Sequence, residues 1–373
     1  MVVKFVLQLV FKNTIALAIP LLLFCHTKSL AQVGSAGELN YHRAFSQIDS
    51  LLSLSSTPPK AFKKAVYEVE NAFYNNELPF EIFDADIQRL VSFIDIVRQS
   101  DSISYTHRDK SSIESYAAIF KVMTDSNYFD IENTLYLHEP FSYDFDDVFG
   151  QEDWSQMFVT KLLATNKGNC HSLPYLYKIL AEELGEKAHL ALAPNHIYIK
   201  HHSKKTGWYN TELTSGSFPI DAWLMASGYI HLDAIRNGVY MDTLSQKESL
   251  ALTLVDLAKG YERKFGVQDG AFMLKAANRA LEVNPDFINA LLLKAETQKK
   301  LFENEMLLRG MKNPNDLIEQ SEEYRNLFLE MQNFYVKIHK LGYRQMPEEM
   351  YVDWLMSLEK EKERYKNKAI PVE

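Results

Sequence analysis

Cysteine is nearly absent: two in 373 residues, Cys25 and Cys170. Only Cys170 lies beyond the N-terminal apolar stretch. A mature chain without that stretch therefore has no internal disulfide, and packing or reactivity must account for the thiol. No later apolar segment reaches the roughly 20 residues that a membrane-spanning helix needs. No stripe of clustered Lys and Arg is present and the formal charge is −9, which argues against nucleic acid as a partner. Neither C-x-x-C nor H-x-x-x-H occurs. His171, His189, His196, His201 and His202 crowd the sequence around Cys170, but adjacent His201 and His202 point to opposite faces of a strand, so this spacing is poor for zinc. No metal and no cofactor is expected.

What is present begins with a signal-like segment. Residues 1–31 carry Lys4 and Lys12, run apolar from Thr14 to Cys25, and end in Ser29-Leu30-Ala31. That is the layout of a cleaved secretory signal. Phe24 stands where a lipoprotein signal needs a small residue before its cysteine, so a lipid anchor at Cys25 is disfavoured, as is an uncleaved anchor. Cleavage after Ala31 leaves 342 residues and, without Lys4, Lys12 and Lys28, a charge of −12. The expected location is periplasmic or secreted. Apolar residues make up 46% of the chain and aromatics 12%, enough for a real core in roughly two ordinary domains.

The pattern divides into a helical region at 32–127, an α+β region at 128–248 and a second helical region at 249–373. Leu39–Leu54, Ala61–Phe73, Asp84–Val97 and Ile113–Thr124 read as helices, with a break at Ser55-Ser56-Thr57-Pro58-Pro59. Tyr128–Gln151 shows no clean period and reads as a long loop. A helix is expected from Trp154 to Asn166. Another starts around Cys170, where Leu173, Leu176, Tyr177, Leu180, Ala181 and Leu184 recur at helical spacing and Gly185 ends it. Ala188–Ala193, His196–His201 and Trp208–Leu213 alternate like strands, with a turn at Ser203–Gly207. From about Ser249 the chain is helical again, and one continuous helix is expected over Leu317–Leu341.

Nucleophilic cysteine chemistry needs a thiolate, a base to take the thiol proton, and a polar group that orients the base. Cys170 is placed at a helix N-terminus, where the helix dipole and free backbone N–H groups lower a thiol pKa and can hold an oxyanion. His196 opens the next-but-one element. Glu212 and Asn210 share strand parity, so either can orient that imidazole. Trp154, Ser172 and Trp208 are candidate pocket or orienting residues. Taken singly, Cys170 reads as a small buried hydrophobe and His196 as a core histidine; their order and placement together favour a triad.

Three segments, Gly168-Asn169-Cys170-His171-Ser172-Leu173-Pro174, Ala181-Glu182-Glu183-Leu184-Gly185 and Pro194-Asn195-His196, resemble the transglutaminase-like cysteine hydrolase superfamily, in its bacterial branch related to the SirB1 N-terminal domain. The resemblance covers about residues 154–218. It implies a papain-like arrangement of helix and antiparallel sheet, with Cys170 as nucleophile and His196 as base. Trp208-Tyr209-Asn210-Thr211-Glu212-Leu213-Thr214 fits the superfamily's W-x-x-x-D-x-T context, with Glu212 where the orienting aspartate stands. Leu254–Phe302 loosely resembles tetratricopeptide repeats, with small residues Ala276, Ala277, Ala280, Ala290 and Ala295 at close helix approaches. The expected function is hydrolysis or acyl transfer at an amide or peptide bond by Cys170, His196 and Glu212, with hydrolysis favoured because no separate amine site is visible. The alternative is a non-catalytic peptide- or protein-binding module of the cell envelope, using the helical region and a degenerate cysteine-domain groove.

Overall fold

A computed structural model of the chain describes residues 35–101, 103–131 and 133–366. The signal segment expected at 1–31 lies outside the described residues. Residues from Ser35 onward cluster as one compact unit, an α+β architecture in which helices outweigh small, mostly antiparallel sheets.

The chain enters through α1 (Ala36–Ser53), which starts in a capping box. The Ser35 hydroxyl accepts from the Glu38 amide while the Glu38 carboxylate accepts from the Ser35 amide, so two otherwise unsatisfied helix-start donors are paired. After the Pro58-Pro59 break come α2 (Ala61–Phe73), α3 (Phe80–Ser100) and α4 (Lys110–Thr124). Their apolar stripes face one core, with Phe62, Ile87, Ile94, Ile119 and Val122 at most 1% exposed.

The segment expected as a loop instead holds an antiparallel hairpin of β1 (Asn127–Ile131) and β2 (Thr134–His138). Phe129 stacks on Phe93 at 4.3 Å, while Tyr128, Leu135, Tyr136 and Leu137 stay exposed. Apolar residues on both faces erase the alternation that normally marks a half-buried strand. Short β3 (Ser142–Tyr143) then pairs in parallel with β4 (Lys167–Gly168).

The helix expected from Trp154 is also interrupted. A single 3₁₀ turn covers Trp154–Met157, Phe158 is extended, and α5 (Val159–Thr165) starts afresh. Its trigger is tertiary: buried Glu70 of α2 accepts the backbone N–H groups of Val159 and Thr160 at 2.7 and 2.9 Å. A carboxylate at a helix start satisfies amides that have no intrahelical partner.

Next comes α6 (Ser172–Glu183), buried almost all round, with Leu176, Tyr177, Ile179, Leu180 and Ala181 at most 1% exposed. Each large apolar side chain so buried contributes roughly 1.5–3 kcal/mol, which makes α6 a rigid mount for its N-terminus. A three-stranded antiparallel sheet, β5 (His189–Ala193), β6 (His196–Ser203) and β7 (Gly207–Thr211), packs beside it in the order β5-β6-β7. Short α7 (Asp221–Met225) and α8 (Leu232–Arg236) lead into α9 (Gln246–Phe265), α10 (Ala271–Val283) and α11 (Ile288–Leu308).

Beyond α11 the expected single helix is two, α12 (Pro314–Ile318) and α13 (Glu322–Lys340), because the Ser321 side chain caps a new start at the Tyr324 amide. A last helix, α14 (Glu348–Lys366), follows. The first helix shares a core with α9 and α10: Tyr41 of α1 meets Tyr261 and Phe265 of α9 and Phe272 of α10 edge-on, with centroids 5.5, 5.7 and 6.1 Å away. Among the described residues, no helix is long and apolar enough to cross a membrane.

Candidate active site

Cys170 sits just before α6, and Asn169 builds that corner. Its carboxamide oxygen accepts the amides of His171 and Ser172 at 2.9 and 3.1 Å, while the Ser172 hydroxyl accepts the Asn169 amide at 3.1 Å. Asn169 thus caps the helix in practice, one residue before the cysteine. The Cys170 amide is left with no hydrogen-bond partner among the described residues. Ser172, fully buried, belongs to this cap rather than to a pocket.

His196 opens β6 directly after the β5–β6 turn, where Asn195 adopts the left-handed conformation at φ 56°. In the β6–β7 register Ile199 faces Thr211 and Lys200 faces Asn210. Continuing that register one residue sets Glu212 opposite Tyr198, diagonal to His196 and on the same face. Glu212 lies just past β7. It is fixed there by reciprocal backbone bonds with Ser217, both 2.9 Å, and by the Thr214 amide donating to its carboxylate at 2.8 Å.

The result is a buried line of groups. His196 Nε2 lies 2.5 Å from Glu212 Oε2, with both side chains at most 1% exposed. Its Nδ1 lies 3.0 Å from the hydroxyl of Tyr351, a residue of α14. The Cys170 sulfur donates to the Asn195 carbonyl at 3.5 Å, and His196 and the Tyr351 hydroxyl neighbour it without an aligned bond. Tyr143 of β3 brings its hydroxyl beside the same sulfur and Tyr351 without an aligned bond. Trp354 sets its ring edge-on to His196 at 5.1 Å.

Electrostatics follow from that line. Burial pushes the Cys170 thiol up, yet hydrogen bonding to and charge on His196, with help from Tyr351, bring it below its ordinary value. Burial alone would depress His196, but the Glu212 carboxylate and the sulfur raise it to about 10. Glu212, against the same burial, is held below the usual carboxylate range by His196. Tyr351 is pushed well above 10 by burial and by the neighbouring sulfur's charge, so it stays a neutral O–H donor. Both directions favour a thiolate–imidazolium pair over a neutral thiol beside a neutral imidazole.

The pair opens on a cleft of about 340 Å³ whose lining includes Cys170, His196, Trp154, Asp256, Lys259 and Glu348. Cys170 is 9% exposed and is one of the residues that line the cleft. Trp154 therefore stands where a pocket residue is expected, its indole N–H buried without a partner among the described residues. Asn210 does not: its amide nitrogen donates to the Pro219 carbonyl and to Asp221 at 3.0 and 2.7 Å. Trp208 is 52% exposed and packs against His189 and His202, outside the cleft lining. His171 also lines the cleft, with its ring nitrogens engaged by Met157 O and Asp256 at 2.9 and 3.1 Å. Among the described residues no three His, Cys, Asp or Glu side chains gather as a metal site would require. Tyr143, Asn169 and Tyr351 were not singled out by sequence reasoning. Asn169 carried a readable signal, an Asn three residues before a helix start, whereas the two tyrosines reach the site only through tertiary packing.

No protein-family model matches the chain, and no curated protein matches it. Among solved structures it is similar to menin, in a crystal structure described as revealing the binding site for Mixed Lineage Leukemia (MLL) protein. The identity is 11% over 86% of this chain and 88% of that one, with a TM-score of 0.32. A score that low does not equate the two folds.

Proposed function

We propose that this chain is an exported, transglutaminase-like cysteine hydrolase or acyltransferase that acts on an amide or peptide bond. One observation carries the reading: a thiol, an imidazole and a carboxylate from three separate elements are gathered in one buried group, and the cysteine and histidine both line a cleft. The helix-plus-antiparallel-sheet setting, α6 beside β5–β7, is what the papain-like arrangement implied by the resemblance would require.

In the proposed reaction the Cys170 thiolate attacks the amide carbonyl carbon, and the C=O electron pair moves to oxygen, where the free Cys170 amide can donate to it. Collapse of that intermediate breaks the C–N bond. The amine leaves with the proton from the His196 imidazolium, and a thioester remains. Water, with His196 now as base, attacks the thioester, and the acid and the thiolate–imidazolium pair are regenerated; an amine in place of water gives transfer. Glu212 keeps Nε2–H oriented and stabilises the imidazolium throughout.

The pH profile of iodoacetamide alkylation at Cys170, read by mass spectrometry in the intact protein, tests this reading. An activated thiolate alkylates at pH 6–7 with little gain on raising the pH, whereas an ordinary thiol gains reactivity up to about pH 8.5. His196→Ala is expected to restore the ordinary profile, with at least about tenfold slower alkylation near pH 6.5. A wild-type profile centred on pH 8.5 and indifferent to that substitution would refute the enzymatic reading.

A binding role has its own support. A cavity of about 1020 Å³ runs between α11 and α13, with Phe302, Phe328, Met331 and Tyr335 among its lining residues. If Cys170→Ala preserves the cellular role while substitutions in that cavity abolish it, binding is the function.

A further inference from the structure

The triad accounts for three side chains, yet a fourth is locked to it by the chain's last helix. Tyr351, 0% exposed, comes from the first turn of α14. Its ring lies 5.3 Å from Phe149 and 5.9 Å from Trp354, so the hydroxyl has a fixed place. That place is 3.0 Å from His196 Nδ1 and beside the Cys170 sulfur. Nε2 is already committed to Glu212. Nδ1 is thus the nitrogen that must exchange a proton with the thiol, and Tyr351 stands on it.

Two roles fit a hydroxyl in that position: it can obstruct the substrate, or it can connect the pair. The cleft decides between them. Met346 and Glu348 border it, but Tyr351 does not line it. Tyr351 is therefore not part of the cleft wall that a substrate would meet. The start of the helix is also tied down. Asn195 donates to the Met346 carbonyl at 2.9 Å, Gln151 donates to the Glu348 carboxylate at 2.7 Å, and the Trp354 indole donates to the Trp223 carbonyl at 3.4 Å.

We propose that Tyr351 is a positioning residue of the centre: its hydroxyl accepts from imidazolium Nδ1–H and donates to the Cys170 thiolate, bridging the two charges, so that α14 completes the active site. The proposal rests on the reading of Cys170 as a nucleophile. A neutral donor at a thiolate makes a charge-assisted hydrogen bond, which favours the ionised sulfur. The other polar or titratable groups around the sulfur are His196, His171, the Tyr143 hydroxyl and the Asn195 carbonyl, with Glu212 behind the imidazole. Of these only His196 also touches the Tyr351 hydroxyl through an aligned bond. The bridge is therefore separable from the rest.

Tyr351→Phe keeps the ring and removes the bridge. In the full-length protein the apparent pKa of Cys170 alkylation should rise by about one unit, which is about tenfold less thiolate at any pH below both values. A second protein carrying a ring-fluorinated, more acidic tyrosine at 351 keeps every atom of the bridge, donates more strongly and should shift the same profile down. Profiles for both that superimpose on the wild type, or a uniform acceleration of alkylation in Tyr351→Phe without a pKa shift, would overturn the proposal; the second result would mark the side chain as an obstruction. Failure of the underlying reading looks different, since an ordinary wild-type thiol removes the nucleophile itself. A depressed wild-type pKa that ignores Tyr351 removes only the bridge.

Discussion

Replacing Glu212 by alanine should destabilise the protein by about 3–5 kcal/mol and return Cys170 to ordinary thiol behaviour, because it leaves a buried imidazole without its counter-charge. Both side chains of the pair are essentially inaccessible, so no solvent replaces the lost carboxylate. His196 is held about 10 chiefly by overcoming burial with the Glu212 charge. Without that charge burial prevails, the ring becomes neutral, and a neutral ring no longer favours a thiolate. Glu212→Gln separates the two effects. An amide oxygen can still accept from Nε2–H, so stability should fall less, while the thiol pKa should rise as far as in the alanine variant.

The same pair sets a pH window that the variant should lose. Glu212 is lower in the folded chain than its ordinary 4.5, so its contribution is present above that value and fades as pH falls through the folded value. His196 is raised from 6.5 to about 10, so its contribution is complete below 6.5 and fades as pH rises through about 10. These are two views of one interaction and do not add. Chemical denaturation of wild type and Glu212→Ala across pH 3–10 should show a difference that is widest between about pH 5 and 6.5 and narrows on both sides. A constant difference at every pH would contradict the ion pair.

Much of the centre was legible because its residues obey local rules. Cys170 follows a capped turn, His196 begins a strand, and Glu212 has the parity that brings it to the same face. The choice between Asn210 and Glu212 was not legible. Both have the right parity, and only the positions of Pro219 and Asp221 draw Asn210 away. The hairpin at 127–138 escaped detection since its exposed face is as apolar as its buried one. The break at Phe158 escaped because its cause, Glu70, lies far off in sequence. For α14 the pattern itself was present: Tyr351, Trp354, Leu355 and Leu358 recur at helical spacing, and all four are buried. Periodicity identifies that face as apolar, yet it carries no information on what the face docks against.

The chain reaches α14 through a turn that passes close to α8 at one glycine. Gly342, in the turn that ends α13, has φ +95°, and a Cβ there would lie 2.3 Å from Ala234 N and 2.8 Å from Asp233 C. Both are backbone atoms of α8, so no side-chain rotation relieves the clash. Gly342→Ala should therefore cost about 3–5 kcal/mol, combining a strained backbone conformation with overpacking. Gly185 is the control, for it also has positive φ (+75°) but nothing lies within 4 Å of its would-be Cβ. Gly185→Ala should cost only about 1 kcal/mol. The two also differ in their chemical consequence. Gly342 is four residues from Met346, whose carbonyl holds Asn195, and nine from Tyr351. A shift of the turn moves the start of α14, so the folded fraction of Gly342→Ala should alkylate with a raised thiol pKa, while Gly185→Ala should keep the wild-type profile. Equal stabilities in the two variants would show that α8 yields to the added methyl, and the close approach would then not be what seats α14.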